Sequence, residues 1–372
     1  MTALDPPVRA PAPGAGWMAR LAASRRVQSL VAAIPGLRRL ARRDGEALFD
    51  LVAGFVHAQI LWSVVELRLL HRLAEGPRTA EALSAGTGIP ARRMAALLDG
   101  AVALGLLGKR GGSYRLARKG AAILGVPGLE AMVSHHAVLY RDLADPLALL
   151  RGGETELAGF WPYVFGAAAA EDPETARRYS RLMSESQVLV AEETLRRVDL
   201  SDAREVLDIG GGTGTFLAAL GARHPGPRLH LLDLPAVVAE ARATFESAGL
   251  TPRARVTAGS FRDSPLPEGA DVATLVRVLY DHSDETVLAL LAAIHAILPS
   301  DGRLVISEPM AGGAAPHRAG DAYFAFYCMA MGTGRARAPA ELTAMLRRAG
   351  FGHVADAGTT RPFVTHVLIA RK

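Results

Sequence analysis

One stretch constrains this chain more than any other: Glu205-Val-Leu-Asp-Ile-Gly-Gly-Gly-Thr-Gly-Thr-Phe216. An apolar run enters glycines at 210, 211, 212 and 214, and a helical pattern begins near Thr215. That order predicts a buried strand, a tight loop and a helix, the opening unit of an α/β sheet. Glycine lets the backbone turn sharply and approach a ligand with no Cβ in the way. Asp233 closes the next predicted strand, 25 residues after Asp208. An acid at that place can accept both hydroxyls of a ribose. A dinucleotide site uses similar parts, but the third glycine of G-x-G-x-x-G would fall on Thr215. Asp208 at the strand end disfavours a pyrophosphate and suits a cofactor whose amino acid end is cationic. S-adenosylmethionine (SAM) is such a cofactor. A P-loop is excluded, since G-x-x-x-x-G-K-[ST] does not occur.

From Ala203 onward, strand and helix patterns alternate. Strands are expected at Glu205–Ile209, Arg228–Asp233, Ala254–Ala258, Ala270–Val276, Gly302–Ser307, His353–Ala357 and Phe363–Ala370. This predicts an α/β fold with a doubly wound, mostly parallel seven-stranded sheet. The length of 372 residues allows two or three domains, and 50% hydrophobic residues against 21% charged allow a large core. A single cysteine, Cys328, excludes a disulfide framework and a multi-cysteine metal site, and points to a reducing cytoplasm. Neither H-x₃-H nor H-E-x-x-H occurs, so no metal is expected. The longest uncharged helical run, Leu51–Val65, is 15 residues with His57 and Gln59 inside, too short and polar to span a bilayer.

Four regions follow. Residues 1–45 form a basic, partly disordered arm with net charge +6, and apolar positions between Trp17 and Leu40 suggest amphipathic helices broken at Pro35-Gly36. Such an arm can contact an anionic membrane surface peripherally through residues 17–43. Residues 46–125 begin with a long apolar helix, Glu46–Leu73, expected to be buried on most sides. Helices at Ala80–Ala85 and Ala91–Leu104 and a hairpin turning at Gly111-Gly112 then make a winged-helix pattern. Residues 126–202 form a helical linker and substrate-pocket region carrying His135, His136, Trp161 and Met183, broken at Pro146–Gly153 and near Trp161-Pro162. Residues 203–372 form the SAM-binding catalytic domain.

Five ordered blocks carry a resemblance: Val206–Gly214, Leu232-Asp-Leu-Pro235, Gly259-Ser-Phe261, Arg277–Glu285 with Ser307-Glu-Pro309, and Gly334–Glu341. Over residues 45–372 the chain resembles the class I SAM-dependent O-methyltransferases, in the group of plant phenolic and bacterial polyketide enzymes. The resemblance implies a Rossmann-like methyltransferase domain, an N-terminal α-helical winged-helix dimerisation domain and a homodimer. It implies that Asp208, Gly210, Gly212 and Gly214 border the amino acid end and ribose of SAM. Asp233 would hold the ribose, and Leu234 and Phe261 the adenine. Ser260 stands where the family has an aspartate facing the adenine amine, and Arg277 matches a basic position near the cofactor.

The family's general base is a histidine in a His-Asp-Trp stretch, and this chain reads Tyr280-Asp281-His282. The acid after the fifth strand is retained as Glu308, whereas a second family acid is replaced by Ala336. His282 is the substitute base to test first, with Tyr280 orienting a hydroxyl, Asp281 orienting either, and Glu308 completing the set. A phenol, with pKa ~10, can lose its proton to a histidine, but an aliphatic alcohol cannot be ionised beforehand in that way. Phe49–Val56, Leu143–Pro146, Phe160–Tyr163 and Val278–His282 resemble the bacterial carotenoid O-methyltransferases more narrowly. That resemblance implies methylation of the tertiary 1-hydroxy group of acyclic carotenoids of the demethylspheroidene and hydroxyneurosporene type. The alternatives are an O-methyltransferase for an aromatic polyketide or phenol, a SAM-sensing winged-helix DNA-binding regulator, and a SAM-fold scaffold without activity. Against nucleic acid, the helix that would enter DNA offers only Arg92 and Arg93 before an apolar run.

Overall fold

A computed structural model of the chain describes residues 35–160 and 173–372, with five isolated positions before residue 35. The chain divides into two compact units, Met1–Arg115 and Leu116–Lys372.

In the first unit, Pro35–Glu66 is one helix and Leu69–Ala74 a second. The break falls at Arg68, whose φ of 52° is left-handed. The single helix expected over Glu46–Leu73 is therefore two. Among the described residues the long helix begins at Pro35, and whether the chain breaks there as expected depends on residues outside those described. The expected burial is also corrected. Leu48, Phe49, Leu51, Val52, Phe55 and Val56 are exposed, and full burial begins only at Val64. By length and composition Ala41–Glu66, with mean hydropathy 1.6, is apolar enough to cross a membrane. The core helices of soluble proteins pass the same test. Helices Ala80–Ser84 and Ala91–Ala103 follow, then a hairpin of β1 (Leu107–Arg110) and β2 (Ser113–Leu116). Thr79 caps the first of these helices, accepting from the Ala82 amide at 3.3 Å. Asp99 ties the second helix to the hairpin by accepting from Lys109 Nζ (2.6 Å) and Tyr114 Oη (2.9 Å).

The second unit is built on β3 (Glu205–Ile209), β4 (Arg228–Asp233), β5 (Ala254–Ala258), β6 (Val272–Val276), β7 (Arg303–Glu308), β8 (His353–Gly358) and β9 (His366–Arg371). Their order is β5-β4-β3-β6-β7-β9-β8. The first five run parallel, and β9 runs antiparallel to both β7 and β8. Every residue of β3 and β6 is buried. Successive side chains point to opposite faces, so Leu207 and Ile209 join one core with Val287, Leu291, Leu342 and Leu346. Val206 joins the other, with Val190, Leu195, Phe216 and Phe245. A sheet covered on both faces needs unbroken apolar strands, which is why these strands were legible as runs. Chain order reverses on either side of β3, and at such a switch point the carboxyl ends of the strands form a crevice for ligands.

All seven strands lie where the sequence places them, with ends shifted by a few residues. The largest shift is at β9, which begins at His366 rather than Phe363. There the Val364 amide bonds Arg361 O at 2.8 Å in a turn that leaves Phe363 70% exposed. This loop is anchored by Glu193 on the helix Pro173–Arg197. Its carboxylate accepts from the Thr360 amide (2.5 Å) and from the Thr359 and Thr360 hydroxyls. Burial pushes the Glu193 carboxyl up, but hydrogen bonds from Thr360, Thr359 and Arg197 outweigh it and hold the pKa at about 2.

A carboxyl held low in the fold stabilises it above its ordinary pKa, and that stability is lost as pH falls toward the folded value. Glu193 therefore contributes at neutral pH and loses its contribution between about 4.5 and 2. Urea unfolding at pH 7 and pH 3 is expected to show a smaller acid-induced drop for Glu193→Gln than for the natural chain.

Candidate functional site

The glycine loop leaves β3 with three left-handed residues, Gly210 (φ 70°), Gly212 (φ 59°) and Gly214 (φ 79°). Asp233, at the end of β4, holds this loop open. Its Oδ2 accepts from the Gly212 amide at 2.6 Å and its Oδ1 from the Leu234 amide at 2.7 Å. A Cβ on Gly212 would meet no atom within 4 Å, so that face of the loop looks onto open space. Asp208 lies beneath it. Its Oδ1 accepts from Thr274 Oγ1 at 2.6 Å, while its Oδ2 is buried without a partner. Burial lifts the Asp208 carboxyl to about 7, with Thr274 opposing and Asp233 adding to the rise. A buried acid, Asp208, and a half-buried one, Asp233, beside an open glycine cradle suit a ligand that brings hydroxyl donors and positive charge. The residues thus fit SAM. Ser260 Oγ accepts from the Arg262 amide at 3.2 Å, and Phe261 packs on the core edge.

The second half of the site is the turn after β6. Arg277 ends the strand at φ 61°, a strained value for a residue with a Cβ, and its Nη1 donates to Ser186 Oγ at 2.8 Å. Leu279–Asp281 form one 3₁₀ turn, gripped from both sides. Below, Glu308 Oε2 accepts from the Leu279 (2.8 Å) and Tyr280 (3.3 Å) amides. Above, the fully buried Arg337 guanidinium donates to Leu279 O (2.8 Å), His282 O (2.7 Å) and Asp284 Oδ1. Asp281 is pushed up to about 8 by burial, while Arg277 lowers it, Glu308 raises it and a hydrogen bond with the Tyr280 side chain lowers it. Its Oδ1 is out of solvent contact and without a partner.

The turn forms part of the wall of a cavity of about 430 Å³. Arg277, Tyr280, Asp281, Ser186, His136, Tyr323 and Tyr327 line it, among apolar residues that include Leu129, Met132, Leu189, Val190 and Phe324. Of the expected pocket residues, His136 lines the cavity and bonds Tyr323 Oη at 2.7 Å. His135 is not on the wall; it backs Tyr327, bonding its hydroxyl at 2.8 Å. Trp161 and the Met183 side chain lie outside the described residues.

Two expected catalytic residues are placed elsewhere. His282 does not line the cavity; its ring meets Phe261 edge to face at 5.2 Å. Arg262 Nη2 stands 2.8 Å from its Nδ1. A guanidinium only donates, so Nδ1 accepts and the ring proton sits on Nε2. Burial, then Arg262 and Arg337, lower this histidine to about 4. Its accepting nitrogen is occupied and its basicity is low, so His282 is corrected from base to a residue of the Phe261 side. Glu308 is likewise under the turn and not on the cavity wall. Sequence reasoning missed the grip of Arg337, although the block Gly334–Glu341 contains it. It also missed Gly334, where a Cβ would lie 2.1 Å from Tyr280 O.

Arg337→Met is expected to leave the buried His282 carbonyl without a donor and Leu279 O with only the His282 amide at 3.1 Å, and to cost on the order of 3 kcal/mol in urea unfolding. Because the turn carries Tyr280 and Asp281, methyl transfer by the folded fraction should fall further than SAM binding measured by calorimetry.

Comparison with known proteins follows the same division. A family profile for an O-methyltransferase domain matches residues 140–352, and one for an O-methyltransferase dimerisation domain matches residues 49–124. The chain is 54% identical over 372 residues to demethylspheroidene O-methyltransferase of Cereibacter sphaeroides, covering all of this chain and 98% of the relative. It is 52% identical to the enzyme of the same name from Rhodobacter capsulatus, over 96% of this chain and 89% of the relative. Among solved structures, human N-acetylserotonin methyltransferase in complex with SAM superposes with a TM-score of 0.76 at 26% identity, covering 88% of this chain and 97% of that one. With both domains matched and the cofactor cradle in place, the chain belongs to the S-adenosylmethionine-dependent O-methyltransferases that carry an N-terminal dimerisation domain.

Proposed function

We propose that this enzyme methylates the tertiary 1-hydroxyl of acyclic carotenoids of the demethylspheroidene and hydroxyneurosporene type. Full-length similarity to two demethylspheroidene O-methyltransferases supports the substrate. The observation that carries the chemistry is Asp281, a residue of the cavity wall whose carboxyl Oδ1 is buried without a partner.

SAM supplies a methyl group already activated by a positive sulfur. Asp233 would hold the ribose, Leu234 and Phe261 would flank the adenine with Ser260 at its edge, and Arg277, Asp208 and the glycines would border the amino acid end. Asp281 accepts the hydrogen bond of the substrate hydroxyl, turns an oxygen lone pair toward the methyl and takes the proton as the ether forms. Tyr280 bonds the same carboxyl and keeps it lower than burial alone would. A cation near Asp281 would offset the burial further and favour the ionised form the reaction needs.

Labelled SAM offered with detergent-dispersed 1-hydroxy acyclic carotenoids and, in parallel, with phenols should label the carotenoid alone. A base must be unprotonated to act, so the rate at saturating SAM should rise with pH through an inflection below about 8. Tyr280→Phe removes a bond that lowers the Asp281 pKa, so its inflection should move to higher pH. Asp281→Asn should abolish the rise and lower kcat by roughly 10²–10⁴-fold. An unshifted inflection in Tyr280→Phe would sink the pairing.

The dimerisation domain supports a homodimer formed through the exposed apolar face of Pro35–Glu66. Phe49→Asp with Phe55→Asp should turn the sedimenting species into a monomer. We further place the protein in the cytoplasm, peripheral on the inner face of the membrane through residues 17–43. A variant lacking residues 1–45 should then sediment less with anionic liposomes than the full chain.

A further inference from the structure

At the amino ends of the parallel strands lie two grooves of similar size, about 510 and 420 Å³, so charge and not size distinguishes them. The larger is lined by Asp202, Asp271 and Asp301 together with Arg204, Arg303 and Arg371, and its charges cancel. The smaller is lined by Arg228, Arg253 and Arg255, with Glu205 as its one acid. His230 stands behind that acid, its Nδ1 3.4 Å from Glu205 Oε1. Burial and then Arg255 lower this histidine to about 4, against the opposing pull of Glu205, so at pH 7 it is neutral and adds no charge. The smaller groove therefore keeps an excess of positive charge: three guanidiniums against one carboxylate.

The guanidiniums are held in place by the fold. Parallel pairing sets Arg228 of β4 opposite Glu205 of β3, and Arg255 of β5 opposite His230. Glu205, only 5% exposed, accepts from Arg228 Nε (3.1 Å) on one oxygen and from Arg255 Nη2 (2.6 Å) on the other. Arg253 is fixed separately, donating to Pro227 O (2.7 Å) and Gly221 O (2.6 Å), carbonyls that anchor it without cancelling its charge. Among the described residues, both Nη atoms of Arg228 and the Nε and Nη1 of Arg255 have no bond, and both side chains are more than half exposed. A guanidinium presents a planar fork of N–H groups that matches the oxygens of a phosphate. We propose that this groove binds a phosphate group, carried by a free anion or by a lipid headgroup, between Arg228 and Arg255 with Arg253 supplying further charge. A phosphate dianion would cancel the excess. The site is distinct from the cofactor crevice: SAM carries no phosphate, and the length of β4, roughly 16 Å at about 3.3 Å per residue, separates Arg228 from Asp233.

The test titrates inorganic pyrophosphate into the full chain by calorimetry, at constant ionic strength and with saturating SAM so that the cofactor crevice is filled. One pyrophosphate should bind more tightly than about 1 mM. Arg228→Gln and Arg255→Gln should each weaken it by at least about 10-fold, the range for a charge-assisted bond. Pro252→Glu places a carboxylate on the exposed rim and leaves Glu205 with both its arginines, so it tests the charge without removing a buried ion pair, and it should weaken binding by a similar factor. Arg204→Gln, in the charge-balanced groove, should change it by less than about 2-fold. Co-sedimentation with phosphatidylglycerol vesicles then tells the two sources apart: a smaller bound fraction for Pro252→Glu than for the natural chain assigns the site to a lipid headgroup, and an equal fraction assigns it to a free phosphate compound. Absence of pyrophosphate binding at about 1 mM overturns the inference, as does equal weakening by Arg204→Gln and Arg255→Gln.

Discussion

The site depends on a turn whose peptide groups are held by a buried carboxyl group on one side and a buried guanidinium on the other. Glu308 takes the amides of Leu279 and Tyr280, and Arg337 takes the carbonyls of Leu279 and His282. Neither reaches the cavity wall, yet together they hold the backbone that carries Tyr280 and Asp281. Hydrogen bonds to charged groups are among the stronger ones, and a buried charge left without them is costly. The strained φ at Arg277 and the close approach of Gly334 to Tyr280 O sit at the two ends of this arrangement. Strain of that kind persists only where the surroundings over-determine the conformation, as they do here.

The same burial that stiffens the turn raises the acids around it. Asp208 and Glu308 stand at about 7 and Asp281 at about 8, each because burial disfavours the ionised form. Asp208, Asp281 and Glu308 each keep one buried oxygen without a partner. Acids raised by burial suit a ligand that brings positive charge, because a cation favours their ionised form.

Much of the fold was legible because its signals are local. A sheet covered on both faces writes its strands as apolar runs, and the glycines at 210, 212 and 214 are demanded by left-handed backbone that other residues avoid. The acids Asp208 and Asp233 could be placed from strand ends alone. What escaped depends on contacts between distant segments. His282 stands two residues from Tyr280, and only the structure shows Arg262, twenty residues earlier, occupying its accepting nitrogen. Likewise Arg337 is one arginine among many until its buried carbonyl partners are seen. The long N-terminal helix misled for a related reason: its apolar face is unmistakable in sequence, but whether the same chain covers it is not a local property.

The loss of the family's histidine at position 280 then reads as a change of acceptor rather than a loss of chemistry. A phenol benefits from a base able to carry its proton before methyl transfer. An aliphatic alcohol is too weak an acid for that, but its oxygen becomes strongly acidic once the new C–O bond begins to form. The acceptor need not be strong; it must be aligned, dry and ready late in the reaction. In the proposed mechanism Asp281, beside Tyr280 on the cavity wall, is the group that would meet those demands. A histidine there would add a second open hydrogen-bonding group to a cavity shaped for hydrocarbon, where an unpaired polar group is costly. On the proposed reading, tyrosine at position 280 and the aliphatic and aromatic residues around it serve one requirement: to recognise a single hydroxyl at the end of a hydrocarbon chain.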